Sequence, residues 1–306
     1  MGISKTKKIL LNSKIEDIEI YYNYQLEKLS SFRVNGIVPI LIIINSDEAL
    51  IKILNLLETE KLKYFIIGGG TNTLINHNCK EIIIKLGKNY NFLKFYENKI
   101  IAGASILLGR FIIETYKNNF DFSFLAGIPG TIGGAVFGNC GNKSEGICNF
   151  IESIEFISID GNDIKKEKKF LKPSDFGYRF LNINNLKVIT NVIFKKEKSK
   201  KGLILNNIRK NIRYKKETQP LNTFNCGCFF KNSLESTKPT GQLIDELNLK
   251  GFKYGGASVS RKHANFIENI NNATPKDIFN LAKIIKGFVK ENYNINLEYE
   301  VKLVGF

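Results

Sequence analysis

Two glycine-rich segments constrain the fold of this 306-residue chain more than any other feature. The first, GGGTNTL at residues 68–74, follows a predicted buried strand, and its glycines allow several backbone N–H groups to approach an anion closely. A Rossmann motif needs a helix that opens directly from the glycines, and a P-loop needs Gly-Lys-Ser/Thr. The polar sequence INHNCK follows here instead. The segment therefore indicates a phosphate-binding turn that is neither a Rossmann motif nor a P-loop.

The second segment, AGIPGTIGGAVFGNCG at residues 126–141, is denser still. Six of the fifteen residues from Gly127 to Gly141 are glycine, and Pro129 restricts one turn. Such a segment brings the backbone close to another group. That group is either a ligand or, in a tight strand–helix crossing, the small side chains of a neighbouring element. These residues alone leave both interpretations open.

A buried strand is predicted at residues 39–44 and further strands at 64–67, 81–86 and 188–194. A helix capped by Ser46 or Asp47 lies between the first two strands, and Asp160-Gly161 indicates a turn. From residue 150 onward the chain shows short alternating strands, which predict an α+β fold rather than a doubly wound sheet. The lysine-rich KKEKSKKG at 195–202 indicates a boundary or an exposed turn.

The last third of the chain predicts three helices and a terminal strand. A basic helix runs to Pro220, and a second covers TGQLIDELNLKG and stops at Gly251. A third begins at TPKD, residues 274–277, with proline at the first helical position and a capping box. The terminal INLEYEVKLV alternates strictly, which predicts a strand with one apolar face and one charged, solvated face.

The net charge of +16 raises the possibility of a nucleic-acid partner. Lysine supplies most of this charge and is dispersed, whereas a dedicated phosphate reader relies more on arginine. We therefore expect no nucleic-acid partner, and a surface that favours small anionic substrates.

No apolar run approaches the length of a membrane span, and the N-terminus is charged where a signal peptide is apolar. These features predict a cytoplasmic protein with no membrane partner.

The five cysteines are an odd number and do not form a disulfide framework, so reduced thiols are expected. Cys226 and Cys228 are one residue apart in TFNCGCFFKN. With only His77 and His263 as histidines, and no second cysteine pair, the remaining ligands of a metal site are missing. The sequence therefore predicts no metal site.

A series of motifs resembles the UDP-N-acetylenolpyruvoylglucosamine reductase family. The motifs follow the family's order and cover nearly the whole chain. They are SFRVNG (31–36), IIGGGTNTLI (66–75), AGIPGTIGGAVFGNCG (126–141), YRF (178–180), QPLN (219–222), GCFFKN (227–232), GQLIDELNLKG (241–251), GGASVSRKHANFIEN (255–269) and LEYEVKLVG (297–305).

The resemblance implies a flavoenzyme that completes UDP-N-acetylmuramate for bacterial peptidoglycan. Its cofactor would be FAD, its co-substrate NADPH and its other substrate a UDP-sugar, and the protein would be a monomer. The implied fold is α+β: a two-lobed FAD-binding domain of the vanillyl-alcohol-oxidase type, followed by a smaller α+β substrate-binding domain. The expected bounds are 1–88 and 89–202 for the two lobes and 203–306 for the substrate domain.

The resemblance also assigns FAD contacts. The backbone of the first glycine-rich turn would hold the diphosphate through Gly69, Gly70, Thr71, Asn72 and Thr73. The second segment would line the flavin with Ile128, Pro129, Gly130, Gly133 and Gly134. Arg213 is expected to reach an FAD phosphate. The short stretch between Asn139 and Arg179 suggests the family's compact second type.

The substrate chemistry gives the remaining residues roles. Hydride addition at C3 of an enol ether of pyruvate spreads negative charge from C2 into the carboxylate, which calls for cationic or hydrogen-bonding groups there and for an acid near C2. By resemblance, Arg179 and Glu300 serve the carboxylate, and Cys228 donates the proton at a position that is usually serine. A thiol with a pKa of about 8.5 is protonated at neutral pH and can fill that role.

Tyr178, Lys216, Asn232 and His263 are expected to contact the substrate or the nicotinamide nucleotide. Asn139 and Ser260 lie in matching motifs, but a role in a turn explains each equally well. Three alternatives remain open. In the first, Cys228 is a structural cysteine in an inactive homologue. In the second, the chain is an oxidase with flavin bound covalently near His77. In the third, it is a basic protein that binds an anionic polymer.

Overall fold

The structure is a computed structural model that describes residues 3–142 and 145–306, with side chains from residue 6 onward. The chain divides into two compact units. The first comprises Met1–Tyr22, Pro39–Gly69 and Glu81–Ile212; the second comprises Asn23–Val38, Gly70–Lys80 and Arg213–Phe306. No helix in the described part of the chain is both long and apolar enough to cross a membrane.

Helices and strands are interspersed along the described residues, as expected of an α+β chain. The helices are α1 (Ile3–Asn12), α2 (Asp47–Thr59), α3 (Leu108–Lys117), α4 (Ile132–Phe137), α5 (Lys201–Thr218), α6 (Thr240–Glu246) and α7 (Pro275–Tyr293). The strands are β1 (Ile18–Gln25), β2 (Ile37–Ile44), β3 (Tyr64–Ile66), β4 (Thr73–Ile75), β5 (Ile82–Leu86), β6 (Leu93–Phe95), β7 (Lys99–Gly103), β8 (Ile151–Asp160), β9 (Asp163–Phe170), β10 (Phe176–Gly177), β11 (Phe180–Leu181), β12 (Leu186–Lys195), β13 (Lys253–Tyr254), β14 (Ala257–Val259), β15 (Ile267–Asn269) and β16 (Lys302–Val304).

The first unit contains a four-stranded sheet in the order β1-β2-β5-β3, in which β5 pairs in parallel with both β2 and β3. The strand β2 is buried along most of its length because a parallel sheet is covered on both faces. The helix α2 begins after Ser46, whose hydroxyl accepts from the Ala49 N–H at 3.2 Å as predicted. Its apolar residues pack into the core of this sheet.

A five-stranded antiparallel sheet, in the order β6-β7-β12-β8-β9, forms the rest of the first unit. The hairpin between β8 and β9 turns at Gly161, which has a φ of +57°, so the turn indicated by Asp160-Gly161 is confirmed. Helix α3 covers the sheet through an aromatic cluster in which the ring of Phe111 lies 4.8 Å from that of Phe122 and 5.1 Å from that of Phe194.

The second unit is built around α7. Its capping box is confirmed: the Thr274 hydroxyl accepts from the Asp277 N–H at 3.1 Å, and the Asp277 carboxylate accepts from the Thr274 N–H at 2.9 Å. The apolar stripe of α7 packs into one core with Phe32 and Phe229. A three-stranded sheet, β13-β14-β15, and a parallel pair, β4-β16, complete the unit.

Two predicted element bounds were wrong. Helix α6 ends at Glu246 rather than at Gly251, because Asn248 takes the left-handed conformation at φ +56° and its N–H donates to the Asp245 carbonyl at 2.9 Å. The terminal strand is regular only over β16. The preceding residues alternate between buried and exposed, as the pattern predicted, and residues 298–300 hydrogen-bond residues 229–231 without forming a regular ladder.

The division of the chain at 88/89 and 202/203 stays a prediction about domains. The second of these points lies inside α5. The first two residues of the predicted first lobe lie outside the described residues.

Candidate functional site

In the first unit, the two glycine-rich segments pack backbone against backbone. A Cβ on Gly69 would lie 3.0 Å from the Gly130 Cα and 3.5 Å from the Thr131 nitrogen, and a Cβ on Gly68 would lie 2.5 Å from the Thr131 hydroxyl oxygen. Gly130 has a φ of +125°, which favours glycine. The absence of side chains at these points therefore leaves two stretches of bare backbone side by side.

The close packing of small residues is also present, at a different glycine. A Cβ on Gly133 would lie 2.9 Å from the Cβ of Ala104, which follows β7. The helix α4 is capped by Thr131, whose hydroxyl accepts from the Gly134 N–H at 3.4 Å. The packing interpretation of this segment is thus confirmed at Gly133, which allows a helix to pack closely, and the ligand interpretation stays a prediction.

Arg179 lies in the tight turn between β10 and β11. Gly177 pairs with Phe180, so Tyr178 and Arg179 form the two-residue loop. Arg179 has a φ of +61°, an uncommon conformation for a residue with a Cβ, and its guanidinium lies 5.4 Å from the centre of the exposed Tyr178 ring. The hairpin therefore holds the predicted carboxylate-binding cation in a strained conformation that is typical of functional loops.

Asn139 ties this hairpin to the second glycine-rich segment. Its side chain is buried; Nδ2 donates to the Gly177 carbonyl at 2.8 Å and Oδ1 accepts from the Cys148 N–H at 3.1 Å. The Asn139 carbonyl accepts from Nη1 of Arg179 at 3.5 Å. Asn139 therefore has the turn role that the sequence left open, and it also supports the Arg179 loop directly.

In the second unit, the turn at residues 70–73 is held by buried hydroxyl and thiol groups. Gly70 has a φ of +66°, and a Cβ there would overlap the Leu29 carbonyl. The Ser30 hydroxyl donates to the Thr73 carbonyl at 2.6 Å, and the Cys226 thiol lies 3.5 Å from the same oxygen. Ser31 contributes a hydroxyl 3.2 Å from the Cys226 sulfur. Sequence analysis assigned no role to these three residues.

Cys228 begins an extended segment that carries other predicted site residues. It is half-buried and pairs with Phe266 as an isolated antiparallel bridge. The Phe229 carbonyl accepts from the Glu300 N–H at 2.9 Å, so the chain around Glu300 runs along the opposite edge of this segment. The Glu300 carbonyl in turn accepts from Nδ2 of Asn72 at 3.1 Å. The second unit thus brings together a predicted acid, a predicted carboxylate and part of the predicted diphosphate turn.

His263 and Asn232 lie on the turns next to this segment. Nδ1 of His263 accepts from the Asn265 N–H at 3.3 Å, and burial, assisted by the charge of Lys250, lowers the pKa of the imidazole. The neutral ring therefore carries its proton on Nε2. Oδ1 of Asn232 accepts from the Thr240 N–H at 3.0 Å, which fixes the orientation of that amide.

The other two predicted site residues of this unit, Arg213 and Lys216, lie exposed on α5. The Lys216 carbonyl accepts from the Lys262 ammonium, which brings the end of α5 next to the turn that carries His263. Among the described residues, no group of three or more His, Cys, Asp or Glu side chains could hold a metal ion.

The predicted site residues are divided between the two units. The first unit holds Gly69, Ile128, Pro129, Gly130, Gly133, Gly134, Tyr178 and Arg179; the second holds Gly70, Thr71, Asn72, Thr73, Arg213, Lys216, Cys228, Asn232, His263 and Glu300. The supporting residues Ser30, Ser31, Cys226 and Asn265 were not predicted from the sequence. All four lie inside or beside quoted motifs, so the motifs gave their positions but not their contacts.

Two protein-family models match this chain. One, described as an FAD binding domain, matches residues 38–165. The other, described as the C-terminal domain of UDP-N-acetylenolpyruvoylglucosamine reductase, matches residues 219–304. The predicted α+β fold with an FAD-binding domain of the vanillyl-alcohol-oxidase type is confirmed.

Several reductases resemble this chain in sequence and structure. It is 33% identical over 225 residues to the UDP-N-acetylenolpyruvoylglucosamine reductase of Wolbachia sp. subsp. Brugia malayi, covering 72% of this chain and 75% of that protein. For the enzyme of Rickettsia typhi the identity is 35% over 225 residues, covering 72% and 74%. The crystal structure of UDP-N-acetylenolpyruvylglucosamine reductase from Thermus caldophilus superposes with a TM-score of 0.75 at 26% identity, covering 94% of this chain and 98% of that one. The chain therefore belongs to the UDP-N-acetylenolpyruvoylglucosamine reductase family.

Proposed function

We propose that this protein uses NADPH to reduce the enolpyruvyl group of UDP-N-acetylenolpyruvoylglucosamine, which yields UDP-N-acetylmuramate for peptidoglycan. The observation that carries the proposal is the pair of bare backbone turns at Gly69 and Gly130, which lie inside the segment that matches an FAD binding domain. We call these two turns the FAD cradle, and they give a protein of this family the means to bind the cofactor on which the reduction depends.

The residues present fit FAD. A Cβ at Gly69 would press on Gly130, and one at Gly70 would overlap the Leu29 carbonyl, so a side chain at either position would displace the backbone of the turn. Turns of bare backbone are a common means of binding phosphate groups. We assign the diphosphate to residues 69–73 and the flavin to residues 128–134, with Arg213 at a phosphate. The chemistry that FAD supplies when bound is hydride transfer from NADPH to C3 of the substrate.

Arg179 and Glu300 are the groups proposed for the substrate carboxylate. The guanidinium of Arg179 can bind a carboxylate through two parallel hydrogen bonds, and the Tyr178 ring and the Asn139 carbonyl restrict its position. Reduction at C3 increases the negative charge on that carboxylate, so a fixed cation stabilises the transition state more than the bound substrate. We propose that Glu300 orients the same group.

Cys228 is the proposed acid. Its Sγ would transfer a proton to C2 of the substrate and leave a thiolate, which is protonated again by solvent before the next turnover. The thiol is half-buried, in keeping with contact both with a substrate and with water. Tyr178, Lys216, Asn232 and His263 are proposed to bind the substrate or the nicotinamide nucleotide. We further propose that the protein acts in the cytoplasm as a monomer, without a nucleic-acid partner.

The test is a reduction followed in D₂O. Purified protein, supplied with FAD, should absorb as a flavoprotein, release its flavin on acid precipitation and oxidise NADPH only when UDP-N-acetylenolpyruvoylglucosamine is present. The product should carry deuterium at C2. A protein that binds no flavin after reconstitution, or that binds flavin and leaves the enolpyruvyl sugar unreduced, would refute the proposal. Flavin that stays in the acid pellet would instead support a covalent oxidase.

A further inference from the structure

Asn265 lies at the centre of the hydrogen bonds that organise the site residues of the second unit. It is 3% exposed. Its Nδ2 donates to the Phe230 carbonyl at 2.8 Å, and its Oδ1 accepts from the Phe230 N–H at 3.0 Å. A side-chain amide that donates to and accepts from the backbone of one residue reproduces the pairing of two β-strands.

The main chain of Asn265 extends this pairing. Its carbonyl accepts from the Phe229 N–H at 2.8 Å, and its N–H donates to Nδ1 of His263 at 3.3 Å. The bridge between Cys228 and Phe266 adds a further contact on the same edge. One residue therefore orients the His263 ring and fixes the segment that begins at Cys228.

The opposite edge of that segment carries Glu300. The Phe229 carbonyl accepts from the Glu300 N–H at 2.9 Å, and the Lys231 N–H donates to the Glu298 carbonyl at 2.9 Å. The segment 228–230 is thus held on one side by Asn265 and on the other by the chain around Glu300. A displacement of this segment would move Cys228 and Glu300 together.

The chemistry of the surroundings indicates why an amide occupies this position. Phe229, Phe230, Ala264 and Phe266 around it are buried, and a polar group among such side chains lowers stability unless its hydrogen bonds are made. An apolar residue of similar size would fill the space but leave the buried Phe230 N–H and carbonyl without these two hydrogen bonds. The amide therefore fixes the Phe230 backbone, which packing alone would not do.

We propose that Asn265 is the positioning residue that sets the places of Cys228 and Glu300 relative to one another, because its side chain fixes the Phe230 backbone between them. The inference rests on the reductase activity proposed above, in which these two side chains act. Asn265 itself makes its contacts with the protein, so its effect on the reaction is exerted through the groups it holds.

The experiment compares Asn265→Ala with Asn269→Ala in the full-length holoenzyme. Asn269 is a matched control because it also bonds two backbone groups of the second unit: its Nδ2 donates to the Phe32 carbonyl at 2.9 Å, and its Oδ1 accepts from the Ala273 N–H at 2.8 Å. The readouts are the alkylation rate of Cys228 by iodoacetamide, measured on its peptide by mass spectrometry, and kcat and KM.

Asn265→Ala should speed alkylation of Cys228 about tenfold, because the segment opens more readily. It should also lower kcat about 100-fold with little change in flavin binding, since a small misplacement of reacting groups has an effect of that order. Asn269→Ala should lower stability and leave all of these readouts at wild-type values.

Equal effects of the two alanine variants on the alkylation of Cys228 would overturn the proposal. If Asn265→Ala does not fold, Asn265→Ser, which introduces a hydroxyl that can donate or accept one hydrogen bond, takes its place in the same comparison. Failure of both to fold while Asn269→Ala folds would also overturn it, since Asn265 would then have a structural role only. A wild-type protein without reductase activity refutes the proposed function alone, because the alkylation comparison does not require turnover.

Discussion

At the scale of single residues, the two neighbouring cysteines show how strongly surroundings determine chemistry. Cys226 is buried against carbonyl oxygens and serine hydroxyls, and burial raises the pKa of its thiol despite the hydrogen bonds that act the other way. Cys228 is half-buried. Residues at i and i+2 of a regular strand share a face, but Gly227, with a φ of +79°, interrupts the pleat between them. The Cys-x-Cys spacing is therefore compatible with a structural thiol next to a reactive one.

Replacement of Cys228 tests its role as the acid. Cys228→Ala should lower kcat for reduction of the enolpyruvyl sugar by about 100- to 10,000-fold, the usual contribution of a general acid. Cys228→Ser should keep most of the activity and should resist brief exposure to hydrogen peroxide, which should inactivate the wild type because a thiol is oxidised more readily than a hydroxyl. Stopped-flow measurement of flavin reoxidation distinguishes these variants. Wild-type reoxidation in Cys228→Ala would exclude Cys228 as the donor.

At the scale of elements, the effect of a glycine on structure depends on its position. Gly69 and Gly130 lie where two turns meet, whereas Gly109 lies on α3 with no atom within 4 Å of an added Cβ. In the turns, the absence of a side chain permits the approach; within the helix, it only lowers helix propensity. The same residue type is therefore required in one place and dispensable in the other.

Paired alanine substitutions test this difference. Gly69→Ala should weaken FAD binding on the order of tenfold, or about 1.4 kcal/mol, because the new Cβ at 3.0 Å from the Gly130 Cα displaces the backbone of the cradle. Gly109→Ala should leave FAD affinity unchanged and raise the free energy of unfolding by about 0.5–1 kcal/mol. Flavin fluorescence titration and urea unfolding provide the two measurements. Equal FAD affinity in both variants would show that the cradle tolerates a side chain.

The start of α7 gives a second prediction at this scale. Thr274→Ala removes the hydroxyl that accepts from the Asp277 N–H, and should lower the free energy of unfolding by about 1 kcal/mol. Lys276→Ala, an exposed change in the same first turn, should alter it by less than about 0.5 kcal/mol. Urea unfolding followed by circular dichroism measures both, and equal losses would contradict the role assigned to the cap.

At the scale of the whole molecule, stability should depend on pH through His263. Burial and the charge of Lys250 lower the pKa of its imidazole below the ordinary value of 6.5. Between the lowered folded-state pKa and 6.5, the unfolded chain binds more protons than the folded protein. The contribution of this residue to stability is therefore complete above pH 6.5 and is lost as the pH falls through the folded-state pKa.

This dependence is measured by urea unfolding at pH 7.5, 6.5 and 5.5. The wild type should lose more stability over this range than His263→Gln, in which the titrating group is absent and the other ionisable groups are retained. ¹H NMR titration of the His263 ring protons should give a midpoint below 6.5. Parallel stability curves for the two proteins would show that His263 is not responsible.

How much could be predicted from the sequence differs between local and long-range features. Periodicity located α2 and α7 because burial of one helix face repeats at the spacing of the helix itself, and a continuous apolar run located β2, which is covered on both faces. Ser46 and Thr274 cap helices through bonds to residues three positions away. The terminal segment shows the limit of such patterns. Alternating burial follows from an extended chain, but a regular ladder also needs a neighbour that continues in register. Residues 302–304 find such a neighbour in β4, whereas residues 298–300 make only an isolated bridge and its flanking hydrogen bonds with residues 229–231.

The amino-acid sequence by itself determined the fold class, the capped helices, the non-Rossmann character of the glycine turns and, through its motifs, the family. Only the tertiary structure decided which polar groups meet. Asn265 pairs with Phe230 across 35 positions of sequence, and Ser30 bonds Thr73 across 43. The physical reason is that a local pattern records the preference of each residue for backbone conformation and burial. A hydrogen bond between distant segments forms only once folding has brought both into place.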